Sequence, residues 1–170
     1  IELPGQSLEA GFDGAVEPTV PVQAGSLATP LAMLAVASGA DRVAAAYAFG
    51  ILAGHSGRAA SEPELAAASQ ALVQMLGADD RRSRIAAARV AGRVLAGSFA
   101  PRGVRPPVPA GLSDGLFALL NRPSESEQLA AMDALGLIRE TNAVTALNER
   151  YVFYRGDGKR ALAGGALEAL

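Results

Sequence analysis

One pattern of polar and apolar residues occurs three times along the chain, at residues 41–50, 83–92 and 127–136. Each copy starts with a polar residue, continues through Arg or Gln and a branched apolar residue into an Ala-rich run, and ends at a glycine. Alanine has the lowest free-energy cost of helix formation, and the apolar residues recur at helical spacing. Each copy therefore predicts an amphipathic α-helix, and residues 166–170 resemble the middle of a fourth copy.

Helix-capping patterns mark further predicted helices between these copies. Ser61 with Glu64, and Ser124 with Glu127, have the spacing of a capping box, in which two side chains satisfy the first N–H groups of a helix. Glycines and prolines between the helices predict where each one ends. Together these patterns predict four helical hairpins, at residues 30–54, 61–97, 113–140 and 141–170.

The glycine of each copy lies inside its predicted helix. Gly50, Gly92 and Gly136 are 42 and 44 residues apart. Glycine inside a helix costs about 1 kcal/mol relative to alanine, so we expect a compensating gain, namely the close approach of a neighbouring helix. A period of roughly 40 residues is typical of stacked helical arrays; the alternative is an Ala-rich helical bundle.

The pattern resembles the HEAT-like repeat family, whose hairpins carry an Arg, an Ala run and a Leu-Gly pair in the second helix. The nearest match is Asp-Ala-Leu-Gly at residues 133–136, and the resemblance extends over residues 30–170. It implies an all-α fold, a right-handed α-solenoid or armadillo-like superhelix of about four hairpins. It also implies a bacterial protein–protein interaction scaffold or adaptor, as a subunit of a complex, that binds through its concave face and loop edge. The family usually has an apolar residue where this chain has Asp41, Ser83 and Glu127.

Composition excludes several classes of function. The chain has 170 residues, a formal net charge of −2, no cysteine and no tryptophan. Without cysteine it has no disulfide, thiolate metal site or cysteine nucleophile, and its charge favours neither nucleic acid nor an anionic membrane. His55 is the only histidine, and no nucleophile–base pair is visible, so we expect no enzyme, no metal site and no cofactor. Residues 31–54 are apolar, but Asp41 and Arg42 interrupt them, so we expect no membrane span.

Residues 1–29 differ from the rest and predict an extended acidic arm. They contain three prolines, four acidic residues and no basic residue. Proline favours extended geometry in the residue before it, so the arm is either a disordered leader or a segment that lies along the repeats or a partner. The first residue is Ile1 rather than Met, which with the arm favours an exported or periplasmic protein; a cytoplasmic location is the alternative.

A cluster of arginines extends from Arg81 to Arg105 with no acidic residue between them. Three of them share a predicted helix face, and two lie in the Pro-rich connection at residues 98–112. The cluster is either a solvated ridge or a site for an acidic partner or a phosphate backbone. The alternative function is therefore a phosphate- or nucleic-acid-binding module, although HEAT-like proteins that act on DNA use Trp, which this chain lacks. The candidate partner-binding arginines are Arg82, Arg89, Arg93, Arg102 and Arg105.

An aromatic segment, Tyr-Val-Phe-Tyr, occupies residues 151–154. On a helix Tyr151 and Tyr154 share a face and Phe153 points elsewhere, so we expect one aromatic face in the core and the other exposed. Tyr and Arg are favoured at the centres of protein interfaces. Tyr151, Tyr154 and Arg155 are therefore further candidate partner-binding residues.

The fourth copy of the pattern stops at Leu170, where the other copies approach their glycine. Glu168 is the only charged residue after Arg160, whereas a terminal repeat normally has a polar outer face. We therefore expect either that the natural chain continues with further repeats or that another subunit covers this end. For the 170-residue chain we expect self-association through its last helix.

Overall fold

The computed structural model describes residues 27–55, 61–98 and 108–170, and these ranges contain eight α-helices and no strand. The all-α fold predicted from the sequence is confirmed. In chain order the helices are α1 (Ala28–Val36), α2 (Gly39–His55), α3 (Glu62–Leu76), α4 (Arg81–Ser98), α5 (Ala110–Leu120), α6 (Glu125–Leu137), α7 (Ala143–Gly156) and α8 (Arg160–Ala169).

Two series of helix contacts organise these elements. Each odd-numbered helix packs against the even-numbered helix that follows it, so the eight helices form four pairs. The even-numbered helices also contact one another in order, α2 with α4, α4 with α6 and α6 with α8. In the same way α1 contacts α3, and α3 contacts α5. Each pair therefore packs against the pair that follows it in the chain.

The three helix-internal glycines lie where consecutive even-numbered helices meet. A Cβ atom at Gly92 would lie 2.9 Å from the Cα atom of Ala134 in α6, and one at Gly136 would lie 2.8 Å from the Cα atom of Ala169 in α8. At Gly50 the nearest atom would belong to a side chain of α4, at 3.2 Å. Ordinary carbon contacts are about 3.5 to 4.0 Å long. The predicted reason for these glycines, the close approach of a neighbouring helix, is confirmed.

The Arg or Gln residue of each copy also makes equivalent contacts in successive pairs. Arg42 donates to the backbone carbonyl of Leu34 in α1 at 3.0 Å and to the side chain of Gln74 in α3 at 2.9 Å. Arg84 donates to two backbone carbonyls just beyond α3, at 2.6 and 2.7 Å, and to Glu127 in α6 at 2.5 Å. In each case the side chain joins the two helices of its own pair to the next pair.

Gln128 makes the third set of contacts at this position. Its amide nitrogen donates to the backbone carbonyl of Arg122, after α5, at 2.5 Å. Its amide oxygen accepts a hydrogen bond of 3.0 Å from the hydroxyl of Tyr154 in α7. The same position therefore connects the third pair to the fourth, with Gln in place of Arg.

One predicted capping box forms and the other does not. At the start of α3, the backbone N–H and the hydroxyl of Ser61 both donate to the Glu64 carboxylate, at 2.8 and 2.7 Å. At the start of α6, the Glu127 carboxylate is instead bonded to Arg84, and no side chain caps the helix at Ser124. The second box was predicted wrongly because a buried arginine from another pair takes the carboxylate.

The start of α5 also differs from the prediction. The helix begins at Ala110, three residues before the expected start, and Pro109 precedes it. Proline is tolerated at a helix start because the N–H that it lacks has no partner within the helix there. The hydroxyl of Ser113, at the expected start, donates to the Glu140 carboxylate before α7 at 2.9 Å. Ser113 thus links the third pair to the fourth and does not cap α5.

Among the described residues the core is built mainly from Ala and Leu. Residues 83–88 of α4 are all buried, since this helix contacts α2, α3 and α6. Within the described ranges, no helix has both the length and the apolar character that a membrane span requires. Residues 1–26, 56–60 and 99–107 lie outside those ranges, so most of the predicted arm and most of the Pro-rich connection at residues 98–112 stay predictions. The last two residues of the predicted arm, Ala28 and Thr29, begin α1.

Candidate functional site

Three of the predicted arginines lie on the part of α4 that its neighbours leave uncovered. Arg82 and Arg93 are exposed and Arg89 is half-buried. They are seven and four residues apart, which places them on one side of the helix. The remaining sides of α4 pack against α2, α3 and α6. The helix therefore presents these three arginines in a single row.

Arg84 belongs to the same cluster in the sequence but is buried in the structure. Its Nε donates to Oε1 of Glu127, and the two side chains are 8% and 3% exposed. Its Nη1 donates to two backbone carbonyls. An ion pair is tolerated in an interior when its hydrogen bonds are satisfied. Arg84 therefore connects helices and adds nothing to a basic surface.

The start of α4 carries an acidic side chain whose pKa is shifted. Oδ1 of Asp80 accepts a hydrogen bond of 2.8 Å from the backbone N–H of Ser83, as an N-cap residue does. Partial burial raises the pKa of Asp80, but the hydrogen bonds from Ser83 and the charge of Arg84 together lower it below the ordinary value of 3.8. Asp80 is therefore ionised at neutral pH and stabilises the helix start; it has no proton to give as a general acid.

The neighbouring strip of α6 is not basic. Counted from the repeated glycine, Asp133 and Leu137 hold the positions in α6 that Arg89 and Arg93 hold in α4. Asp133 is exposed, and Leu137 is 40% exposed. The Cδ1 atom of Leu137 lies 3.1 Å from the place of a Cβ atom on Gly92, so its side chain reaches across to α4. We call the surface formed by Arg82, Arg89, Arg93, Asp133 and Leu137 the α4–α6 surface.

The aromatic segment of α7 is divided between core and solvent, as predicted. Tyr154 is 2% exposed, and its hydroxyl donates to Gln128 at 3.0 Å and accepts from Arg150 at 3.4 Å. Tyr151 is half-buried and packs against the core. Tyr154 was predicted to contact a partner, but these contacts hold its ring in the core, where no partner reaches it.

Phe153 is the exposed aromatic residue of α7. It is 58% exposed, beside Val152 at 62% and the exposed Arg155. Its ring meets the Tyr154 ring edge-on, with 5.5 Å between centroids, and Nζ of Lys159 lies 6.0 Å from the Phe153 centroid. Sequence reasoning separated the two aromatic faces but named the tyrosines as partner-binding residues. The pattern within α7 held no signal for this, because the buried acceptor of the Tyr154 hydroxyl is Gln128 in α6.

Other predictions about chemistry concern residues with little or no structural description. Arg102 and Arg105 lie outside the described residues. His55 is the last residue of α2, and its side chain is not described. Among the residues that are described, no group of three or more His, Cys, Asp or Glu side chains could hold a metal ion.

The comparisons with known proteins assign no family to this arrangement. No protein-family model, no curated protein and no solved structure matches the chain.

Proposed function

We propose that this protein is a non-catalytic interaction scaffold or adaptor, built as a right-handed α-solenoid of four HEAT-like hairpins within a larger complex. The order of helix contacts supports this proposal, because each pair packs on the next. Two features recur at these junctions, a helix-internal glycine and a side chain that joins three helices. Junctions that repeat in this way turn the chain by a similar angle at each step, which produces a superhelix with an extended binding surface.

The α4–α6 surface is the contact site that we propose for the partner. It belongs to the even-numbered helices, which in a solenoid of this kind line the concave side. Arg89 and Arg93 contribute guanidinium groups, and Leu137 contributes an exposed apolar side chain next to them. Arginine beside an apolar group is a typical composition for the centre of a protein interface. We therefore expect a protein partner whose contact patch combines carboxylates with an apolar residue.

The mixed charge of this surface favours a protein partner over a phosphate backbone. A protein that binds nucleic acid presents several cations along the track of the phosphates. Here the row of arginines on α4 ends at Asp133 on α6, and Arg84 is withdrawn into the core. For the phosphate- or nucleic-acid-binding alternative, the described basic surface is thus the single row of arginines on α4. Arg102 and Arg105, which lie outside the described residues, are its other candidates.

Partner binding is tested by comparing matched surface variants. The chain is crosslinked in native extract as the parent, as Arg93→Glu with Leu137→Glu, and as Asp114→Arg, which changes an exposed charge on α5. We expect a defined protein partner to be recovered with the parent and the Asp114 variant and to be lost with the α4–α6 double variant. A partner recovered equally with all three would show that the α4–α6 surface is not the contact site.

A fluorescence anisotropy titration with labelled single- and double-stranded oligonucleotides tests the alternative. We expect no binding at low salt. Binding that weakens steeply with added salt, and that is lost in Arg82→Glu with Arg93→Glu, would replace the scaffold proposal with the nucleic-acid-binding one.

A further inference from the structure

The last helix, α8, has one face that no other described element covers. Its opposite side, with Leu162 and Ala166, is buried, and Gly165 and Ala169 meet α6. Leu167 on the open face is 56% exposed. At 100° per residue, five residues lie within about 60° of the Gly164 direction, and we call them the α8 face: Arg160, Ala161, Gly164, Leu167 and Glu168.

Part of this face is occupied by a helix in the preceding pair. In α6, Leu129 and Met132 lie toward α8, with atoms 2.7 and 3.6 Å from the place of a Cβ atom on Gly165. Ala134 of α6 and Ala169 of α8 are equivalent, since each packs on the glycine of the preceding helix. Counting back from them, Gly164 and Leu167 hold the positions of Leu129 and Met132. Gly164 and Leu167 therefore continue the series of surfaces on which the next helix packs, whereas Arg160 and Glu168 correspond to positions 125 and 133, which are exposed in α6.

The residues of the α8 face are arranged symmetrically about Gly164. Ala161 and Leu167 are three residues before and after it, and Arg160 and Glu168 are four residues before and after it. Two antiparallel copies of α8 that cross at Gly164 would bring Arg160 and Ala161 of one copy level with Leu167 and Glu168 of the other. Each positive charge would then lie level with a negative one, twice over.

Gly164 permits this approach, and the charges are available for it. No atom lies within 4 Å of the place of a Cβ atom on Gly164, so a second helix can come close there, as α6 does at Gly92. Within the described ranges, the charged groups of Arg160 and Glu168 have no hydrogen bond or ion pair. We propose that the α8 face binds a second copy of this chain, in an antiparallel two-fold dimer centred on Gly164.

The size of the contact predicts a weak dimer. A helix of ten residues is about 15 Å long, so two of them bury less surface than a standard interface and fall in the transient class. We therefore expect a dissociation constant between the micromolar and the millimolar range. The contact is separate from the α4–α6 surface, so it stands or falls independently of the proposed partner binding.

Sedimentation velocity of the 170-residue chain, from micromolar to millimolar concentration, measures the dimer. Arg160→Glu and Glu168→Arg each place like charges level with each other in the crossed helices, and each should weaken dimerisation by about tenfold or more. The double variant with both changes restores opposite charges and should dimerise like the parent. Asp114→Arg, an exposed change on α5, is the control that should leave the dissociation constant unchanged.

Every outcome of this series decides the proposal. Rescue in the double variant supports the antiparallel register, since only residues that meet across the two-fold axis can exchange charges without loss. A parent that stays monomeric at all concentrations would overturn the proposal, as would a dimer that both single variants leave intact. Weakening without rescue would overturn the register centred on Gly164. Circular dichroism checks that each variant is folded. If a single charge reversal does not fold, Glu168→Gln takes its place, because it removes the charge without reversing it.

Discussion

Replacing Gly92 with alanine tests the contact between α4 and α6 directly. The added Cβ atom would lie 2.9 Å from the Cα atom of Ala134 and 3.1 Å from Cδ1 of Leu137. Ordinary contact between carbon atoms begins at about 3.5 Å, so α6 would have to move away from α4 by about 0.6 Å. The nearest atom belongs to the backbone, and no change of rotamer can therefore relieve the clash.

Two effects of opposite sign determine the change in the free energy of unfolding. Overpacking an interior contact costs about 1 to 3 kcal/mol, whereas alanine in place of glycine inside a helix gains about 1 kcal/mol. Gly164→Ala in α8 is the matched control, because a Cβ atom there meets no atom within 4 Å. Since the helix term is common to both variants, they should differ by about 1 to 3 kcal/mol, and Gly164→Ala should be more stable than the parent.

Thermal unfolding followed by far-ultraviolet circular dichroism, at low protein concentration, measures this difference. For a chain of this size, 1 kcal/mol corresponds to about 2 to 4 °C in melting temperature, so the two variants should melt about 2 to 12 °C apart. A melting temperature of Gly92→Ala equal to or above that of Gly164→Ala would refute the reasoning, since it would mean that the two backbones are not in contact at Gly92.

Three further predictions concern the polar contacts between and within pairs. Glu127→Ala leaves Arg84 buried without its counter-charge and should destabilise the protein by about 3 to 5 kcal/mol. The double change Arg84→Met with Glu127→Leu should lower the free energy of unfolding by less than this single change does. Urea unfolding of both variants measures the difference. Tyr154→Phe leaves the amide oxygen of Gln128 without its buried donor and should cost about 1 to 3 kcal/mol, and an unchanged urea midpoint would contradict the contact. Asp80→Ala should cost about 1 kcal/mol at neutral pH. Because the pKa of Asp80 is lowered on folding, the parent's advantage should be complete above the ordinary value of 3.8 and disappear as the pH falls through the folded-state pKa; melting curves at several pH values test this, and an advantage that persists in acid would contradict it.

The features of the fold that depend on local sequence could be predicted well. Helix propensity and the spacing of apolar residues are properties of neighbouring positions, so the eight helices were expected close to where they lie. The repeated pattern also predicted how the helices pack: a glycine at the equivalent position of three helices indicated that each of the three approaches a neighbouring helix closely. The structure supplies the partners of Gly92 and Gly136, namely Ala134 and Ala169, which no single helix pattern identifies.

The features that depend on distant residues were predicted less well. The capping box at Ser124 has the right spacing, but Arg84 lies 43 residues from Glu127 in the chain and takes the carboxylate. In the interior both partners of the Glu127 carboxylate bond are charged, whereas at an exposed helix start the donor is a neutral backbone N–H, and local pattern cannot weigh the two.

The candidate site shows the same division. The row of Arg82, Arg89 and Arg93 follows from helical spacing alone. The neighbouring Asp133 and Leu137 become visible only when α4 and α6 are aligned on their glycines, and that alignment was possible from the sequence. The burial of Tyr154 was not predictable in this way, because it depends on an acceptor, Gln128, that another helix provides.

Distance measurements between spin labels test most directly the claim that the pairs stack in an open array. The chain has no cysteine, so labels can be introduced in pairs, one at Ala40 and the other at an equivalent position of a later even-numbered helix: Arg82, Ser126 or Ala161. Packed helices lie about 8 to 10 Å apart, so the distance from position 40 should increase by about that amount at each step, to 82, to 126 and to 161. Dilution with unlabelled protein removes distances between molecules. A distance from 40 to 161 that is no longer than the distance from 40 to 126 would show a closed bundle and contradict the stacked arrangement on which the proposed scaffold depends.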